Sequence, residues 1–186
     1  MATVLKAREF VFFCEDLALA SLGAEFPRPD RKVEWTILQL SFGDPKAHFE
    51  LQPRVARGIV ELGLHFEGEV EANDARAARI AANAVEVMSG LGPAWELEVW
   101  TQSWRRIHRI FHFDALTQEL GREVASEFAK ALRVLLPYAT GEHGGPAQRG
   151  QRAVPGPTGS DSATTSTISR TSTPSSGGRR WRKKPQ

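Results

Sequence analysis

The chain has 186 residues, 41% hydrophobic and 25% charged, with one cysteine and a net charge of +2. These are the proportions of one globular domain, and no apolar run approaches the ~20 residues that a bilayer span needs. Residues 1–140 carry 16 Lys+Arg against 20 Asp+Glu and residues 141–186 carry 8 against 2, so capture of nucleic acid by the folded part as a whole is not supported.

Residues 3–23 read as a helix in which Phe10, Phe13, Leu17 and Ala20 recur at helical spacing and Gly23 ends the run. A strand at 9–14 competes, because FVFFC is a continuous apolar run. Glu15 and Asp16 follow it at once, which breaks any signal-peptide core and predicts a cytoplasmic protein. Cys14 lies inside the run and reads as a small buried hydrophobe; alone, it excludes an internal disulfide and a multi-cysteine zinc site. After Pro27 and Pro29, VEWTILQLSF at 33–42 reads as a strand, GDPK at 43–46 as a turn and AHFELQ at 47–52 as its hairpin partner.

GIVELGLHFE at 58–67 is the third strand, with Val60, Leu62, Leu64 and Phe66 on one side and Glu61, Gly63, His65 and Glu67 on the other. The alanine-rich stretch 71–90 predicts one helix, with Asn73 or Asp74 near its start and Gly90 and Gly92 at its end. WELEVW at 95–100 and RRIHRIFHF at 105–113 are strands four and five. Asp114 is placed to cap a closing helix striped by Leu116, Leu120, Val124, Phe128 and Leu132. The order α-β-β-β-α-β-β-α predicts an α+β two-layer sandwich: a five-stranded, mainly antiparallel sheet with helices on one face. Residues 141–186 hold five of the eleven prolines and eight of the sixteen glycines among many Ser and Thr, and read as a disordered tail with a basic end.

The polar sides of these strands would gather His48, Glu50 and Gln52 with Glu61, His65 and Glu67, and then Glu96, Glu98, Trp100, Arg106, His108 and His112. The first expectation is a solvated face of ordinary cross-strand pairs, since a sheet covered on one side leaves its other side in water. Two alternatives remain. His48, Glu50, Glu61 and His65 offer nitrogen and oxygen donors to zinc or manganese, as in a metal-dependent hydrolase. The face could instead dock a protein partner or a second copy, if Trp35 and Trp100 are exposed.

Catalytic patterns are otherwise missing. DPKAHFELQ places Asp44, Glu50 and Gln52 near the arrangement of a restriction-type nuclease, but without its lysine. GLGP at 90–93 is too short for a phosphate loop and precedes a strand. No cofactor signature is present. Two basic features carry weak nucleic-acid potential: Arg105, Arg106 and Arg109 beside Trp104, and Arg179, Arg180, Trp181, Arg182, Lys183 and Lys184 near the C-terminal end.

The pieces ELGLHFE, EAN, LGPAWELE and RRIHRI, in this order over residues 58–137, resemble an uncharacterised bacterial domain often found C-terminal to restriction-endonuclease-like nuclease domains. The resemblance implies a setting near DNA restriction or repair and no mechanism. The sequence thus points to a non-catalytic accessory or interaction module with weak nucleic-acid affinity in its tail.

Overall fold

The structure is a computed structural model in which residues 3–142 are described. The expected basic end, Arg179 to Lys184, lies outside the described residues, as does nearly all of the expected tail.

Helix α1 (Ala7–Leu22) includes the FVFF run, which settles the choice between helix and strand. Its buried stripe is Phe10, Val11, Cys14, Glu15 and Ala18; Leu17, expected inside, is exposed. Strands β1 (Asp30–Glu34), β2 (Ile37–Ser41), β3 (Ala47–Arg54) and β4 (Ile59–Phe66) follow as successive antiparallel neighbours. Helices α2 (Val70–Ala82) and α3 (Ala84–Leu91) lead to β5 (Glu96–Val99), β6 (Arg105–His112) and α4 (Gln118–Thr140). The sheet has six strands in the order β1-β2-β3-β4-β6-β5, every pairing antiparallel.

The α+β architecture matches the expectation, and the strand count does not. The single strand expected over 33–42 turns back on itself at Trp35 and Thr36, so that Glu34 faces Ile37 across a two-residue turn. Such turns favour Gly or Asn because they need positive φ. Here Trp35 takes the left-handed conformation at φ 57, which left no glycine to signal the turn. The helix expected over 71–90 also divides. Asn83 closes α2 by donating its side-chain amide to the Arg79 carbonyl at 2.8 Å, and α3 starts at the next residue. The cap of α4 is Thr117, whose Oγ1 accepts from the Leu120 amide at 3.2 Å, and not Asp114.

The apolar sides of β2, β3, β4 and β6 form one core with α1 and α4, through Leu38, Leu40, Phe49, Leu51, Val60, Leu62, Leu64, Phe66, Ile107 and Phe111. The predicted α4 stripe lies in it, with Val124, Phe128 and Leu132 fully enclosed. Gly121 lets α1 approach closely: a Cβ there would stand 2.7 Å from the Phe13 ring. Among the described residues no helix is long and apolar enough to cross a membrane.

Candidate functional site on the polar sheet face

The strand register lays the polar residues out in rows. One row runs Ser41, His48, His65, Arg106, Glu98 across β2, β3, β4, β6 and β5. The next runs Gln39, Glu50, Gly63, His108, Glu96. His48 and His65 therefore sit directly opposite each other, with ring centroids 5.8 Å apart. Gly63 is what allows the second row to close: a Cβ on it would come within 2.8 Å of both the His108 Cβ and the Ile107 carbonyl oxygen.

The expectation of a solvated face is overturned at its centre, while Glu96 and His112 at its rim are exposed. His48, Glu50, Glu61, Arg106 and His108 are buried, and His65 has no exposed surface at all. The cover comes from long side chains of the face itself and from the segment joining β5 to β6. Trp100 meets His65 edge-on at 5.3 Å between centroids. The Arg106 guanidinium lies 4.7 Å from the Trp100 ring centroid, and Trp104 packs on Trp100 at 5.6 Å.

Ion pairing explains how charge is tolerated there. Arg106 binds Glu61 through Nη1 and Glu98 through Nε at 2.7 Å. Arg54 reaches Glu61 at 3.2 Å and donates to Gln52 at 2.8 Å. Glu50 accepts from the Gln39 amide at 3.1 Å. His48 uses Nδ1 on the Pro45 carbonyl at 3.0 Å, while its Nε2 lies 3.7 Å from Glu50. His65 makes no hydrogen bond: Nε2 is 3.7 Å from Glu61 and Nδ1 is 3.7 Å from Glu67. His108 stands 3.2 Å from Glu98, outside hydrogen-bond geometry.

These surroundings shift protonation in opposite directions. Burial works to lower the His48 pKa, but Glu50, the Pro45 carbonyl and Glu67 outweigh it and hold the imidazole above its ordinary value. Burial works to raise Glu50, yet His48, His65 and Gln39 bring it below the usual carboxylate range. His108 is depressed, by burial and by the Arg106 charge.

Of the four donors expected to hold a metal, His48 and His65 converge. Glu50 and Glu61 flank them, one on each histidine. The carboxylate that completes the tightest group is instead Glu67: one donor atom each from His48, His65 and Glu67 lies within 4.8 Å of the other two. The sequence did carry a signal for it, since Glu67 is two positions after His65 and so shares its side of the strand.

The arginines of RRIHR are not brought together. Arg106 is on the polar face, whereas Arg105 and Arg109 point to the helix side. Arg105 binds Asp74 at 2.6 Å, and Arg109 binds Glu127 at 2.8 Å and Glu123 at 3.3 Å. Asp44, weighed as a nuclease carboxylate, accepts from the Lys46 backbone at 2.9 Å, as a turn residue does, and pairs with Arg76. A surface depression of about 390 Å³ is lined by Glu15, Leu19, Leu22, Phe26, Pro27 and Arg31, among others, and by none of the histidines.

No protein-family model, no curated protein and no solved structure matches the chain.

Proposed function

We propose that the chain is a non-catalytic interaction module acting beside bacterial DNA-restriction or repair machinery. Its folded domain docks a protein partner, and the cations at 179–184 add weak, salt-sensitive affinity for nucleic acid. The observation that supports docking best is Trp35. Its indole is 88% exposed at the tip of the β1–β2 turn, on a left-handed backbone that disfavours a bulky side chain. Hydration and backbone preference both oppose a tryptophan at this point, and a partner surface that takes up the indole gives it a use. The setting near DNA rests on the resemblance over residues 58–137, and the nucleic-acid part on the composition of the C-terminal end.

The paired state of the polar face favours a module over an enzyme. Arg106 is occupied by carboxylates on that face, and Arg105 and Arg109 are occupied by carboxylates on the helix side. A hydrolase built on His48, Glu50, Glu61 and His65 gains support from the meeting of the two histidines. Its substrate would nevertheless have to reach His65, which is closed over by Trp100.

Fluorescence anisotropy with a labelled DNA duplex tests the tail. The full chain should bind at low salt and lose affinity steeply as salt rises, whereas a chain ending at residue 140 should not bind. Binding that survives this deletion, or none at any low salt concentration, would count against the reading. Sedimentation of the full chain and its Trp35→Asn variant tests the rival dimer: self-association that depends on Trp35 would make this a homodimerisation domain.

A further inference from the structure

We propose that His48, His65 and Glu67 form a binding site for one divalent transition-metal ion of the zinc class, a site that ties β3 to β4 beneath Trp100. The inference does not depend on whether the domain docks a partner.

Three observations converge on it. First, the donors are near the right distance. In a tetrahedral zinc site with bonds of about 2.0–2.1 Å, neighbouring donors are about 3.4 Å apart. Here His65 Nδ1 and Glu67 Oε1 are 3.7 Å apart, and all three donors lie within 4.8 Å. Side-chain rotations of the order of 1 Å would close the set without moving the strands, because the sheet register already places the two histidines opposite each other.

Second, each imidazole has a buried ring nitrogen that makes no hydrogen bond. The Nδ1 of His48 donates to the Pro45 carbonyl, which leaves the lone pair of the neutral ring on Nε2, 3.7 Å from Glu50. The Nε2 of His65 faces the Glu61 carboxylate, which leaves Nδ1 toward Glu67. A ligating histidine ordinarily has its remaining ring N–H on a carbonyl or carboxylate that fixes its tautomer, as His48 has in the Pro45 carbonyl. His48 Nε2 and both ring nitrogens of His65 are buried and make no hydrogen bond. Buried ring nitrogens without partners are costly, and a metal ion relieves one on each ring.

Third, the charge balance favours a dication. The carboxylates in contact with the three histidines are Glu50, Glu61, Glu67 and Glu98. The cations that answer them are Arg54 and Arg106. Four carboxylates against two guanidinium groups leave two negative charges in excess when the imidazoles are neutral. A 2+ ion cancels that excess while keeping the histidines in the deprotonated form that ligation requires. The nitrogen and oxygen donor set suits zinc, cobalt or a similar ion and does not suit calcium or magnesium.

The test uses the untagged full-length chain, stripped with chelator and titrated with Zn²⁺, with Co²⁺ as a spectroscopic probe. The expected result is one equivalent bound, a higher melting temperature with Zn²⁺ and a visible cobalt band. Glu67→Gln keeps the side-chain shape at a partly exposed position next to the end of β4, so it should fold as the parent does. It should weaken metal binding tenfold or more, as should His48→Ala. The double variant His112→Ala/His143→Ala removes two histidines outside the proposed set and should bind as the parent does. The proposal is overturned if no stoichiometric metal is taken up, or if Glu67→Gln, shown folded by circular dichroism, binds as tightly as the parent. It also falls if nuclear magnetic resonance finds His48 and His65 both protonated at neutral pH in the presence of Zn²⁺. Protons would then balance the excess charge.

Discussion

The two faces of one sheet both enclose their central residues, by different means. On the helix side, Leu62, Leu64 and Phe66 meet apolar groups from α1 and α4, and many near-equivalent contacts share the load. On the other side, Glu61 and His65 are enclosed by a few specific groups, chiefly Arg106, Arg54 and Trp100. Apolar packing tolerates small repacking, whereas a buried charge depends on each of its partners. Adjacent residues of β4 sample both regimes, which makes the contrast measurable.

The largest effect is expected on the helix side. Leu62→Ala removes a fully buried side chain and leaves a cavity, and should cost about 3–4 kcal/mol by urea unfolding, within the range of such truncations. A cost under about 1 kcal/mol would mean that the helices do not pack on the sheet as described. Glu61→Ala, one residue away, should cost about 3 kcal/mol, because it leaves Arg106 with Glu98 alone and Arg54 with no carboxylate. If Glu61→Ala were nearly neutral, the polar face would be open to water in solution and its enclosure wrong.

A smaller effect should appear with pH, and its sign differs between groups. His48 has a raised folded-state pKa. Its contribution to stability is therefore complete below its unfolded value of about 6.5 and is lost as pH rises through the raised value. Glu50 is lowered, so its contribution is present above about pH 4.3 and is lost as pH falls through the lowered value. His108 is lowered; the fold favours its neutral form, so it loses stability as pH falls below about 6.5. Comparing the parent with His48→Gln from pH 5 to pH 9 isolates the first term. The parent's advantage should be greatest at the acid end and shrink toward the alkaline end, and the opposite trend would reverse the assignment.

Much of the fold was legible because alternation and helical spacing are local properties. The side of each residue in β3, β4 and β6 follows from counting by two, and the α4 stripe from counting by three and four. What alternation cannot convey is whether the polar side stays wet. That depends on groups far away in the chain: Trp100 is 35 positions beyond His65, and Arg106 is 45 beyond Glu61. The meeting of His48 and His65 needed the register, which is fixed by the short link from Arg54 to Ile59, where Gly58 takes a left-handed φ of 62. The pattern shows that glycine but does not show which residues pair beyond it. The missed turn at Trp35 has a different cause, since a tryptophan contradicts the residue preference of such turns.

That tryptophan gives the smallest expected change in stability and separates the two functions a residue can serve. Trp35→Asn places a residue that tolerates the left-handed backbone where a bulky one now sits, and it removes an indole that is almost wholly exposed. Little packing is lost and some backbone strain is relieved, so unfolding free energy should stay within about 0.5 kcal/mol of the parent or rise slightly. The same substitution should abolish docking if the indole is the part of the surface a partner takes up. A loss of more than about 1 kcal/mol would instead show the indole packed on its own domain in solution. Display for a partner would then no longer explain why a tryptophan occupies the turn.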